Sequence, residues 1–350
     1  MRSTLERCLE DLEARLDDEV ESALYREWVE FTDGEFEGDI FSPRRARPAP
    51  PGIEWPAVRV NQTLDDYDMM ALRQFGACSQ TLADGTGEML GVRSSYGTSI
   101  IPSLFGVELF IMDDEADTLP TSWPIADTER IEKLVEAGAP DLHRSLGGKT
   151  LEMAERFEAI RRAYPKIGRY VHHYHPDLQG PMDIVEVLWG SGLFPDLYDR
   201  PELVKAVLEL ITETYERFLR AWVDIVPWEN GRQVHWRLMH AGRIMLRDDS
   251  AMNLSPEMFD EFIAPYDQRL LDAFGGGAIH FCGRGDHYIE SMSKMDGMHA
   301  IAMSQPEYND MEVIYRHTVD REIKLLGLHR ATAEAALSQG RALHGRVHCW

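Results

Sequence analysis

What most limits how this chain can fold is a repeated alternation of short apolar runs with amphipathic helical stretches. From about residue 90 onward eight such runs stand out: MLGVRSSYG, GVELFIM, IGRYVHHYHP, RQVHWRLMH, GAIHFCG, GMHAIAMS, IKLLGL and GRVHCW. Most are separated by helical patterns, among them LEMAERFEAIRRAYP and RPELVKAVLELITETYERFLRAWVDI. Strand–helix alternation implies parallel strands joined by right-handed crossovers. Eight strands predict a closed barrel, an α/β fold of the (β/α)8 TIM type over residues 91–350. A doubly wound open sheet is the rival. Its dinucleotide-binding form is disfavoured, because no glycine-rich phosphate fingerprint follows the first strand.

Residues 1–90 read differently, as a helical and strap-like extension packed on the barrel. Leu5, Leu9, Leu12, Leu16, Val20, Leu24 and Trp28 recur every three to four positions, which predicts one amphipathic helix over 4–32. The prolines of FSPRRARPAPPGIEWP make residues 41–56 a connector or strap. TLDDYDMMALRQFGACSQTLADG predicts a second helix ending near Gly85. Further on, Ser255 as N-cap, Pro256 at the first position and Glu257 in the first turn open a helix over SPEMFDEFIAPYDQRLLDAF.

Charge narrows the partners. Sixty acids against 36 Lys and Arg give a net charge of −24. That excludes nucleic acid as a partner, since phosphate-backbone binding needs clustered basic residues. It also excludes an anionic membrane surface. No apolar run approaches a spanning helix and the N-terminus has no signal-peptide core, so a cytoplasmic protein is expected. Cys8, Cys78, Cys282 and Cys349 are too few for a disulfide framework.

In a parallel barrel, functional side chains gather where strands end. His280 and Cys282 stand two apart at such an end, so both face the same way. Cys349 ends the last run and shares the rim. Imidazole plus two thiolates suits zinc, and leaves one tetrahedral position open as in catalytic sites. The bland reading is that buried cysteine is usually inert core, and a lone His-x-Cys is a weak signal. Around this set lie His172, His173, His175, Asp177 and Gln179 after the third run, Trp236, His240 and Arg247 around the fourth, and Asp248 and Asp249 before the SPE helix. Adjacent aspartates more often cap helices than catalyse. Tyr96, Asp113 and Glu115, Arg284 and Asp286, and Gln305 and Glu307 complete the strand-end candidates.

GAIHFCG resembles the fifth-strand signature of the uroporphyrinogen decarboxylase superfamily, and DDSAMNLSPEMFDEFIAPYDQRLLD resembles the segment before it. The resemblance covers about residues 91–350 and implies a (β/α)8 barrel. One branch of that superfamily decarboxylates uroporphyrinogen without a metal. The other comprises zinc methyltransferases that work with corrinoid (methylcobalamin) carriers, and it implies His280, Cys282 and Cys349 as zinc ligands. The decarboxylase branch has an arginine-bearing signature like RQAGRY, where this chain has RSSYGTSIIPSLFG. The chain also lacks the basic groups that many substrate carboxylates need.

The expected activity is therefore a zinc-dependent methyl transfer between a small molecule (a thiol acceptor or a methyl donor) and a corrinoid, free or on a partner protein. Asp248, Asp249, His175 and Tyr96 are the catalytic candidates. His172, His173, Asp177, Gln179, Trp236, Arg284 and Gln305 are the substrate-binding candidates. The alternatives are a metal-free decarboxylase-like lyase and a non-catalytic ligand-binding barrel. A homodimer is expected from the resemblance alone.

Overall fold

The computed structural model describes residues 2–228 and 231–350. Eight parallel strands build the barrel: β1 (Ile40–Phe41), β2 (Leu90–Val92), β3 (Val171–His173), β4 (Ile244–Arg247), β5 (Gly277–Phe281), β6 (Met298–Met303), β7 (Lys324–Leu328) and β8 (Val347–Cys349). Six of them form one hydrogen-bonded arc in the order β1-β8-β7-β6-β5-β4, and β2 pairs with β3 in a second arc. Between β3 and β4 a side chain carries the connection: the Met245 N–H donates to His175 Nε2 at 3.0 Å.

The alternation of faces sorts each strand. Met245, Ala278, Ala300, Ala302 and Leu326 meet in the lumen. Ile244, Leu246, Ile279, Phe281, Ile301, Leu325 and Val347 pack outward on the helices. The lumen floor is closed by helix α2 (Asp18–Asp33), whose Leu24, Trp28 and Phe31 are buried in the lumen cluster. Each such side chain stabilises the fold by roughly 1.5–3 kcal/mol through removal of apolar area from water. Trp28 Nε1 also donates to the Gly87 carbonyl at 2.8 Å, so its one polar atom is satisfied.

The eightfold expectation holds, but its members differ from those read in the sequence. Residues 41–56 do not begin as a strap, because Phe41 and Ile40 form β1, paired with His348 and Val347. GVELFIM is not a barrel strand. Glu108–Phe110 pairs antiparallel with Thr121–Trp123, and no helix lies between the two strands to make a crossover. RQVHWRLMH folds back on itself as an antiparallel hairpin, Arg232–His235 against Leu238–Ala241, with Val234, Leu238 and Met239 in the lumen. The fourth barrel strand is the next apolar run, IMLR.

Two predicted helices are each split, for local reasons. The N-terminal one divides into α1 (Thr4–Arg15) and α2, because the Asp17 carboxylate caps the Glu19 and Val20 N–H groups. The SPE helix breaks at Ile263 into Pro256–Phe262 and Ala264–Phe274, since Pro265 cannot continue the ladder. The helix over Tyr67–Asp84 ends at Gly85, φ 62°, as its sequence requires. Among the described residues, no helix is long and apolar enough to cross a membrane.

Candidate active site

A pocket of about 440 Å³ opens at the C-terminal mouth of the barrel, lined by Arg93, Asp177, Trp236, Arg247, His280, Cys282 and Ser304. Strand β5 delivers two of these. Ala278 faces the lumen and Ile279 and Phe281 face the helices, so His280 and Cys282 continue the lumen face. Gly283 then turns the chain at φ 75°, where a Cβ would press on Met252 Sδ at 2.8 Å.

Asp249 arrives from the loop after β4. That loop is held from the neighbouring βα unit: Asp183 accepts the N–H groups of Asp249 at 3.0 Å and Ser250 at 2.8 Å, and Ser250 Oγ donates to Glu186 Oε2 at 2.5 Å. Gly180 lets the two loops touch, since a Cβ there would lie 2.5 Å from the Arg247 carbonyl. Asp249 Oδ1 accepts the Cys282 N–H at 2.7 Å. The result is a three-residue cluster of Asp249, His280 and Cys282, whose ligand atoms all lie within 4.8 Å of one another. His280 Nε2 is 3.3 Å from Cys282 Sγ and 3.7 Å from Asp249 Oδ1. Zinc bonds of about 2.0–2.3 Å in a tetrahedron put neighbouring donors about 3.5 Å apart, and the N, S and O donor set is one zinc accepts. Burial pushes the His280 imidazole down to about 4, against the pull of Asp249, so the ring is neutral at physiological pH. Burial also raises the Cys282 thiol, with Ser304 Oγ at 3.5 Å opposing the shift.

Cys349 does not join this cluster, which corrects the expected ligand set. On β8 it shares parity with Val347 and faces the helix layer, where burial pushes its thiol up to about 11 and Arg330 and Glu334 are its charged neighbours. His348 takes the lumen side and packs on Trp28, with ring centroids 4.8 Å apart. A strand's alternation cannot turn both adjacent residues inward.

Two guanidiniums share one carboxylate beside the cluster. Arg247 Nη1 and Arg93 Nη1 both bind Asp177 Oδ2, the latter at 3.3 Å, and Gln179 Nε2 donates to Asp177 Oδ1 at 2.8 Å. Burial alone would raise Asp177, but the two arginines hold it below the usual carboxylate range. Trp236 closes the pocket floor, its ring edge-on to His280 at 5.2 Å and under the Arg247 guanidinium at 5.2 Å. It stands at the tip of the lumen hairpin, where Trp236 and Arg237 both adopt positive φ, 46° and 69°. Such a turn ordinarily takes Asn-Gly, and each L side chain there costs about 1–2 kcal/mol.

The other expected residues lie elsewhere. Asp248 is fully buried behind the site, against Asp267 in the helix layer, and burial raises both carboxyls. His175 is occupied as a strut: its Nδ1 meets the Pro176 carbonyl at 2.7 Å while its Nε2 accepts from Met245. Tyr96 is fully buried among helix-layer side chains. His173 points outward to Glu158, 2.8 Å away. His172 faces the lower lumen, with its ring stacked on Tyr25. Arg284 is exposed and pairs with Asp286 at 2.7 Å. Gln305 works on the backbone, accepting the Gly283 N–H at 2.6 Å. Asp113 and Glu115 sit exposed in the loop of the outer hairpin. Arg93 and Ser304 line the pocket and were not singled out. Arg93 directly follows β2, a strand-end position that was the one signal available.

The sequence model of the uroporphyrinogen decarboxylase (URO-D) family matches residues 99–327, about two thirds of the chain. The chain belongs to the uroporphyrinogen decarboxylase family. No curated protein matches it by sequence. Among solved structures, a methyltransferase from Methanosarcina mazei superposes with a TM-score of 0.64 over 93% of this chain and 92% of that one, at 15% identity. At that identity the likeness speaks for the shared barrel fold.

Proposed function

We propose that this family member is a zinc-dependent methyltransferase, moving a methyl group between a small molecule (a thiol acceptor or a methyl donor) and a corrinoid carrier, free or on a partner protein. The observation that carries this reading is the convergence of Asp249, His280 and Cys282 at the barrel mouth, where His280 and Cys282 line an open pocket. Those three residues would hold the metal. Zinc, when bound, lowers the proton affinity of a thiol and polarises a heteroatom that carries a methyl group.

The rest of the work falls to the chain itself. The Cys282 N–H orients Asp249, and the Asp183 carboxylate fixes the loop that bears it. Leu119, Pro120 and Thr121 of the outer hairpin wall one side of the pocket. Trp236 gives a flat floor against which a small substrate packs. Arg93 and Arg247 are already engaged by Asp177, which leaves little positive charge for a substrate with many carboxylates. That speaks against the metal-free decarboxylase reading.

The test is methyl transfer from methylcobalamin to a panel of small thiols, followed by the cobalamin absorption spectrum, with zinc-loaded wild type beside Cys282→Ala. Turnover in the wild type alone is expected. Zinc-loaded protein inert in both directions, with every thiol and every methyl donor tried, would overturn the reading.

A further inference from the structure

A second cavity of about 450 Å³ lies at the opposite, N-terminal end of the barrel. It is bounded by α2, by β3 and by the root of the lumen hairpin, through Tyr25, Arg26, Arg161, His172, Arg232 and Gln233 among others. The N-terminal face of such barrels ordinarily serves stability and is packed shut. Here α2 covers the lumen but leaves a cavity beside it, large enough for a small organic ligand.

Its charge is opposite to that of the molecule. The chain carries 60 acids and 36 Lys and Arg, yet among the described residues four arginines and one glutamate line this cavity. The glutamate is already neutralised: Glu21 takes a two-point ion pair from Arg45 at 2.8 and 2.9 Å. Arg161 is fixed in place by Glu158 and the Gly168 and Val171 carbonyls. Arg232 is held by Thr32 and Asp33 through Nε and Nη2. Arg26 has no ion-pair partner among the described residues. The cavity also has flat walls, since Tyr25 and His172 present near-parallel rings, 10° apart with centroids at 6.1 Å. Neutral His172 adds a ring face rather than a charge.

We propose that this lower lumen is a second binding site, for a planar organic anion. Arginines recognise its carboxylates or phosphates, and the Tyr25–His172 pair stacks on its ring. The site is distinct from the barrel-mouth pocket, with the lumen hairpin between them: Gln233 lines one and Trp236 the other.

The test is a fluorescence titration of the whole protein with naphthalene dicarboxylate at low salt, with inorganic phosphate as the non-planar control. Saturable one-to-one binding is expected, at least tenfold tighter than phosphate. Arg26→Ala with Arg232→Ala should weaken it about tenfold or more, and Tyr25→Leu severalfold. Arg247→Ala, in the other pocket, should leave it unchanged. Both arginines and Tyr25 lie at the edge of the fold, and circular dichroism confirms that the variants are folded. Absence of saturable binding, equal binding of phosphate, or loss of binding in Arg247→Ala instead would overturn the proposal.

Discussion

Strands β5 and β8 each bring a histidine and a cysteine to the C-terminal end of the barrel, and they use them in opposite ways. In β5 the two are separated by one residue, so His280 and Cys282 both look into the barrel mouth, where Asp249 meets them. In β8 they are adjacent, so His348 enters the lumen against Trp28 while Cys349 is buried among the helices. The residue types are the same and the spacing decides the chemistry. One strand end makes a candidate metal site, and the other makes core.

Cys282→Ala should break that contrast most sharply. Losing a ligand should weaken zinc binding by more than the roughly 10–100-fold that outer-shell changes cause, measured by competition with a chromophoric chelator. Asp249→Ala should do the same, and Cys349→Ala should leave the affinity unchanged. Because the thiol must lose its proton to bind metal, wild-type affinity should rise with pH through neutrality.

The next largest effect concerns the arginine-shared carboxylate beside β5. Asp177→Asn leaves two partly buried guanidiniums without their partner and should cost about 3 kcal/mol in urea unfolding at neutral pH. The Asp177 carboxyl is held below its usual range in the folded protein. Its contribution is therefore present above the unfolded value of about 3.9 and is lost as pH falls through the lower folded value. The gap between wild type and variant should close in that acid window. A gap that does not change with pH would show that the charge of Asp177 is not what the arginines need.

Cys349→Ala, silent in metal binding, should still cost about 1 kcal/mol of stability as a small buried void. The smallest effect sharpens the account of the pocket floor. Arg237→Gly removes an L side chain from φ 69° and should stabilise the protein by about 0.5–1 kcal/mol, since its partly exposed pair with Glu88 adds little. A loss of stability instead would show that the hairpin tip is not strained.

The barrel was legible because parallel βα units write themselves as alternating patterns, and His280 and Cys282 because period-two spacing is local information. What failed was non-local. Two residues, Ile40 and Phe41, are too short a run to announce a strand, and only pairing with β8 makes them one. RQVHWRLMH has strand composition, but its Trp-Arg turn lacks the usual turn residues, so the reversal left no sequence signal. Asp248 and Asp249 are neighbours with the same chemistry. In the loop that Asp183 anchors, Asp249 turns to Cys282 and His280 while Asp248 is buried against the helix layer. Cys349 was assigned by strand-end position, whereas parity with Val347 governs where it points.

The central claim is that one thiolate, one imidazole and one carboxylate would hold the metal. X-ray absorption at the zinc edge on zinc-loaded protein tests it directly. The account predicts one sulfur in the zinc shell, from Cys282, with the remaining scatterers nitrogen and oxygen, unchanged in Cys349→Ala. Two sulfurs per zinc, falling to one in Cys349→Ala, would contradict it and bring β8 into the site.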